Sequence, residues 1–227
     1  MTSGVLERLR NGLIVSVQAA AGSPLDDPHV IGAIAEAAQR AGASGVRVAG
    51  MANIAEVRRR VTIPIVGITK RAYPGFEVYI TPTMREAGEA LSAGAEIVAF
   101  DVTGRRRPDG AADAAMVRAI HAWGALAMAD CAQPKDGRAA VEAGADIVAT
   151  TLCGYTKETE GAALPSLELT AAFSALGAFT ICEGGVQSPQ EARAALQAGA
   201  AAVVVGTAIT NIEWRVRSYI DGMQRSW

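Results

Sequence analysis

The feature that most constrains this chain is a small turn that comes back four times. Arg40-Ala-Gly-Ala43, Ser92-Ala-Gly-Ala95, Glu142-Ala-Gly-Ala145 and Gln197-Ala-Gly-Ala200 each close a helical pattern and open a short apolar run. A glycine there suits the left-handed cap of a helix, and the alanines let the turn pack tightly beneath the next strand. The four glycines stand 52, 50 and 55 residues apart. One βα unit takes about 25 to 30 residues, so each interval holds two. Four intervals make eight units, and eight units account for all 227 residues.

Eight short apolar runs fit that count, at 12–18, 45–49, 64–68, 96–100, 125–129, 146–150, 178–182 and 201–205. Strands of a parallel sheet covered on both faces read this way. Helical patterns lie between them, among them 30–41, 84–92, 113–123, 135–143, 167–176 and 189–198. Ser188, Pro189 and Glu191 supply the last of these with an N-cap, a first-turn proline and a dipole-matched acid. The chain is thus expected to be one α/β domain over residues 1–227, a (β/α)8 barrel, a fold that typically needs about 250 residues. An open Rossmann-like sheet is the competitor, but no G-x-G-x-x-G follows the first run and the even spacing favours closure. The stretch 70–83 is the longest irregular connection, and loops of that length in compact domains are usually functional.

Composition narrows the partners. A formal net charge of -2 argues against a nucleic-acid or anionic-membrane surface, so any anion has to be held by a local site. Cys131, Cys153 and Cys182 are odd in number and lack C-x-x-C spacing, which fits a reducing cytoplasm better than a disulfide framework or a zinc site. Arg8 and Arg10 ahead of an apolar run imitate a secretory signal; Leu13 to Val17 is too short for one, and Glu7 sits among the basic residues. No apolar stretch approaches the ~18–20 residues of a membrane span. His29 and His121 lack ligand spacing, so no metal is expected.

In a barrel of this kind the reactive face is built at the C-terminal ends of the strands. Those ends carry Gln18, Arg47, Lys70, Asp101, Asp130, Thr150 with Thr151, and Glu183. Any one of them alone reads as a solvated loop residue; seven consecutive strands aiming polar groups at one mouth read as a site. Lys70 stands out because the chain has 18 arginines and three lysines. An amine loses its proton when desolvated, whereas a guanidinium effectively does not, and an amine also forms Schiff bases. Gly184-Gly185 and Gly206-Thr207 occupy the loops after strands seven and eight, where barrels of this type hold phosphate on backbone N–H groups. Arg105-Arg106-Arg107 is expected to be a solvated charge run. Trp214, Tyr219 and Trp227 are expected to cover the barrel bottom or a subunit contact.

Several segments together resemble the N-acylglucosamine-6-phosphate (N-acylmannosamine-6-phosphate) 2-epimerases. They are Ser16-Val-Gln-Ala19, Gly45-Val-Arg-Val48, Lys70-Arg-Ala-Tyr-Pro74 with Glu77-Val-Tyr-Ile-Thr-Pro-Thr83, and Asp101-Val-Thr-Gly-Arg-Arg-Arg-Pro108. Ala129-Asp130, Thr150-Thr-Leu-Cys-Gly-Tyr-Thr156, Glu183-Gly184 and Val205-Gly-Thr-Ala-Ile-Thr210 continue the likeness to the eighth strand. The resemblance implies interconversion of N-acetylmannosamine 6-phosphate and N-acetylglucosamine 6-phosphate, no cofactor, and a homodimer. It implies Lys70 as the base at C2, Glu183 as its acidic partner, and Gln18, Arg47, Asp130 and Thr151 around the sugar. The chain departs from the family at Thr210-Asn211-Ile212, where a basic residue and then Pro is common, and at Gly185, where many relatives carry a larger side chain. A Lys Schiff-base lyase, a pentose-phosphate epimerase and a non-catalytic sugar-phosphate sensor are the other readings the strand ends allow.

Overall fold

Why the repeated turn recurs is visible in its hydrogen bonds. In the computed structural model, which describes residues 2–20 and 22–224, Gly42, Gly94, Gly144 and Gly199 all have positive φ, between 87° and 107°. The N–H of the alanine after each glycine donates to a carbonyl five residues back (Ala43 to Ala38, Ala95 to Ala90, Ala145 to Ala140, Ala200 to Ala195). Each glycine N–H donates three residues back, as Gly42 does to Gln39. This is the Schellman arrangement, which satisfies the last carbonyls of the helix and turns the chain straight into a strand. The motif is structural and sits at the N-terminal ends of strands, away from the reactive face.

Eight parallel strands close into a barrel in chain order: β1 (Gly12–Val17), β2 (Gly45–Ala49), β3 (Ile65–Ile68), β4 (Ile97–Asp101), β5 (Leu126–Asp130), β6 (Ile147–Ala149), β7 (Phe179–Glu183) and β8 (Ala202–Val205). β8 returns to β1 with Ala202 opposite Gly12, so the sheet has no edge. The strands lie within two residues of their expected bounds. Alternation divides their side chains. Ile14, Val66, Ile97, Leu126, Ile147, Ile181 and Val204 fill the barrel, whereas Val15, Val46, Val98, Phe100, Val148 and Val203 face the surrounding helices.

The helices are α1 (Thr2–Leu9), α2 (Pro28–Arg40), α3 (Met51–Arg60), α4 (Met84–Ser92), α5 (Asp113–Ala122), α6 (Pro134–Glu142), α7 (Leu167–Ser174), α8 (Pro189–Gln197), α9 (Thr207–Thr210) and α10 (Ile212–Gln224). At α8 the Ser188 hydroxyl accepts from Glu191 N and the Glu191 carboxylate accepts from Ser188 N, so the expected cap is a full capping box.

Two expectations are corrected. Of Arg105-Arg106-Arg107 only Arg106 is exposed as expected: Arg107 is buried, donates to the Asp101 carbonyl and to Asp113, and lies over the Phe100 ring. Arg105 pairs with the buried Asp101 at 2.5 Å. The polar neighbours that draw these arginines inward come from β4 and α5, and a run of like charges in sequence does not display them. Trp214 does not cover the barrel bottom; α10 starts at the reactive face and its Trp214 lines the cavity there. Trp227 lies outside the described residues. No helix among the described residues is long and apolar enough to cross a membrane.

Candidate active site

The register of the barrel sets polar side chains into its C-terminal mouth. Ser16 of β1 lies opposite Arg47 of β2, and Asp130 and Glu183 end β5 and β7. The cavity they shape is about 520 Å³, within the usual range of small-molecule sites. Gln18, Arg47, Lys70, Thr151, Glu183, Gly184, Gly185, Gly206 and Thr207, all expected from sequence, lie on its wall.

Arg47 is the hub. Its guanidinium is 1% exposed and grips Asp130 with two bonds, Nη1 to Oδ1 at 3.0 Å and Nη2 to Oδ2 at 2.6 Å. Nη1 also donates to Glu183 Oε2 at 2.9 Å. The Thr151 hydroxyl lies 2.7 Å from Asp130 Oδ1 and 3.0 Å from Glu183 Oε2, and having one proton it donates to one of them at a time. Asp130 is fully buried and does not reach the cavity wall; it acts on the cavity through Arg47 and Thr151. Two carboxylates thus share one guanidinium.

That sharing governs the proton affinities. Burial, and next the charge of Asp130, raise Glu183 to about 7, against the opposing influence of Arg47, Thr151 and Lys70. Glu183 Oε2 is taken by Arg47 and Thr151, while Oε1 has no protein partner among the described residues and is left to face a ligand. Lys70 ends the β3 segment, makes no ion pair among the described residues, and is exposed to the cavity. Partial desolvation lowers its pKa and the Arg47 charge lowers it further; Glu183 and Asp130 work the other way. One group is therefore drawn toward holding a proton at neutral pH and its neighbour toward releasing one.

The 70–83 connection is an ordered excursion. Lys70 bridges to Ile80 in antiparallel sense, Arg71 N donates to Tyr79 O at 3.0 Å, and Thr81 N donates to Thr69 O at 2.8 Å. The fully buried Glu86 anchors the loop by accepting from Arg71, the Tyr73 hydroxyl and Thr83. The return strand brings Tyr79 and Ile80 onto the cavity wall. Burial raises the Tyr79 phenol, with Asp130 adding to the effect, so it stays a neutral donor.

Glycine is required where the loop after β7 passes closest to its neighbour. Gly185 has φ 75°, and a Cβ there would stand 2.3 Å from Leu164 Cβ. The smaller residue at this departure from the family is thus matched by Leu164 filling the adjacent space. Gln18 donates to Ser16 Oγ at 2.8 Å, and its amide oxygen is buried without a partner at the wall, an acceptor available to a ligand N–H or O–H.

Other expected residues play different parts. Asp101 does not line the cavity; it holds Thr103 and Arg105 in the loop after β4. The Thr150 hydroxyl donates to Glu183 O and accepts from Glu183 N, fixing the end of β7. His29 faces Arg60 and His121 faces Asp146, both away from the cavity wall. Tyr79, Tyr155, Gln187, Asn211 and Trp214, which the sequence reading does not place in the cavity, also line it. Of these, Tyr79 carried a signal, because it lies inside the long connection already marked as functional.

Residues 31–225 match the family model described as "Putative N-acetylmannosamine-6-phosphate epimerase". A Synechococcus elongatus protein named "Putative N-acetylmannosamine-6-phosphate 2-epimerase" is 46% identical over 222 residues, 96% of each chain. A Yersinia pestis protein of the same name is 44% identical over 98% of this chain and 94% of its own. The solved N-acetylmannosamine-6-phosphate 2-epimerase from Clostridium perfringens superposes with a TM-score of 0.92 at 39% identity, covering 95% of both chains.

Proposed function

The chain belongs to the N-acetylmannosamine-6-phosphate epimerase family, and from that premise we propose that it interconverts N-acetylmannosamine 6-phosphate and N-acetylglucosamine 6-phosphate by proton transfer at C2. The observation that carries this reading is the pairing of Lys70, its pKa lowered by desolvation and next by Arg47, with a carboxyl raised to about 7 on one cavity wall. The C2 proton is acidic only beside an open-chain C1 carbonyl, so ring opening comes first. Glu183, protonated on the free Oε1, serves as acid/base for that step. Neutral Lys70 then takes the C2 proton, and the electron pair moves toward the C1 oxygen to give an enolate, the acylamino group staying on C2, whose oxygen charge is balanced by the N–H groups of Arg47. Return of the proton to the other face completes the change with no net oxidation, so the reaction as written needs no cofactor.

Asp130 keeps Arg47 oriented, Gln18 and Thr151 contact the sugar, and backbone N–H groups of Gly184, Gly185, Gly206 and Thr207 receive the phosphate. We read the chain as one cytoplasmic domain that pairs as a homodimer. Support for pairing comes from α10, where no residue is buried and Ile212, Val216, Tyr219, Ile220 and Met223 form one apolar stripe on an unpartnered helix.

Proton NMR of the protein with N-acetylmannosamine 6-phosphate in D₂O tests the reaction. N-acetylglucosamine 6-phosphate with deuterium at C2 is expected; a folded protein that binds the sugar and yields neither epimer nor exchange would refute it.

A further inference from the structure

We propose that the part of the cavity built by the loops after β7 and β8 recognises its ligand without a cationic side chain, so that the protein epimerises N-acyl hexosamines with or without phosphate on the C6 oxygen. This rests on the epimerase reading above. Among the described residues, Arg47 and Lys70 are the cavity's cationic side chains. Arg47 is committed to Asp130 and Glu183, and Lys70 belongs to the proton-transfer step. Beyond the glycines, the wall after β7 and β8 presents Gln187, Thr207, Thr210, Asn211 and Trp214.

The chemistry of that set is that of a polyol site. Asn211 Oδ1 accepts from Trp214 N at 2.9 Å and so caps α10, which leaves the neutral Nδ2 donor for a ligand. The Thr210 hydroxyl is already held by the carbonyls of Ser16 and Gly206. Trp214 offers an indole and Gln187 a second amide, groups that bind sugars by contact with the ring and hydrogen bonds to hydroxyls. The neighbouring cation, Arg215, donates to the Ala208 carbonyl, lies 5.3 Å from the Trp214 ring centre, and is not on the wall. A phosphate here meets backbone N–H groups and neutral donors alone. It gains none of the roughly tenfold advantage that a hydrogen bond from a charged donor typically holds over a neutral one.

The test compares kcat/KM of the full chain for N-acetylmannosamine 6-phosphate and for N-acetylmannosamine. The two values are expected to lie within about a hundredfold, and Asn211→Arg should move the ratio toward the phosphorylated sugar by about tenfold or more, chiefly through KM. A wild-type preference for phosphate greater than about a hundredfold overturns the inference and leaves the epimerase reading standing; no turnover of either sugar strikes that reading itself. Arg215→Gln is expected to leave the ratio within about twofold, and collapse of the phosphate preference in that variant would make Arg215 the missing cation and overturn the inference. Because Asn211 also caps α10, the wild-type ratio and Arg215→Gln decide the matter even where Asn211→Arg folds poorly.

Discussion

Replacing Glu183 by Gln should remove activity and, above neutral pH, make the protein more stable. Burial, with the charge of Asp130, carries the Glu183 carboxyl from an ordinary 4.5 to about 7. Its folded pKa therefore lies above its unfolded one. Between those two values the native state binds the extra proton, and stability falls as pH rises. The loss is complete somewhat above pH 7 and amounts to about 3 kcal/mol, since each pH unit in that window represents roughly 1.4 kcal/mol. Glutamine keeps the shape and an acceptor oxygen for Arg47 but has no proton to lose. For a domain of this size the wild-type Tm should drop relative to Glu183→Gln by roughly 6–12 °C between pH 4.5 and pH 8.5. Thermal unfolding of both proteins across that range at constant ionic strength gives the comparison. The same group should appear as the acid limb of the wild-type kcat/KM profile, near pH 7, because below it Lys70 and Glu183 are both protonated and the one-proton state that contains neutral Lys70 is lost. Two Tm curves running parallel across the range would refute the reasoning, since Glu183 would then be ionised throughout and unable to serve as the acid.

Lys70→Arg retains the charge but supplies a group that does not deprotonate, so kcat should fall about 10²–10⁴-fold while calorimetry still detects sugar phosphate binding; retention of kcat within about tenfold would exclude Lys70 as the base. Gly185→Ala forces a side chain onto Leu164 at positive φ and should cost about 1–3 kcal/mol in urea unfolding, with a raised KM for the sugar phosphate. The control is Gly104→Ala, whose Cβ would meet no atom within 4 Å, and a loss as large there would place the cost in the backbone alone. Tyr219→Glu with Met223→Glu puts two charges on the apolar stripe of α10 and should convert a dimer to monomer in sedimentation; an unchanged mass would move the interface elsewhere.

The fold was legible because its signals are local and periodic. The Ala-Gly-Ala turn encodes a helix stop in three residues, and the strands are apolar whichever face they show. The site was legible in part, for a reason that the strands make plain. Position at a strand end says that a side chain lies near the mouth but not which way it points or what meets it. Arg47 and Glu183 reach the cavity wall; Asp130 stands behind Arg47; Asp101 turns to Thr103 and Arg105. Trp214 and Asn211 come from the start of α10, brought to the mouth by the short α9 turn; the Gly206-Thr207 loop marks the mouth just before them, but nothing in sequence turns Trp214 into it. Arg107 looks solvated in sequence because Asp101, Asp113 and Phe100 become its neighbours only through tertiary packing.

The arrangement of charge ties stability to reactivity through one quantity. In the proposed reaction the productive state has Lys70 neutral and Glu183 protonated, and it carries the same net charge as the resting combination of ammonium and carboxylate. Its share relative to that pair changes tenfold for each pH unit by which the gap between the two pKa values narrows. Ordinary values of 10.5 and 4.5 would leave the productive state near one part in about 10⁶. Raising Glu183 to about 7 alone enlarges that share about 300-fold, and the lowered Lys70 enlarges it further. The 300-fold gain and the 3 kcal/mol lost from the ionised native state are the same free energy seen from two sides. Burial narrows the gap from both sides, raising Glu183 and lowering Lys70, whereas the charge of Arg47 lowers both pKa values and that of Asp130 raises both. Burial above all lets Glu183 take up a proton near neutrality against the pull of Arg47, and the charge of Asp130, which stands behind Arg47 off the cavity wall, adds to it.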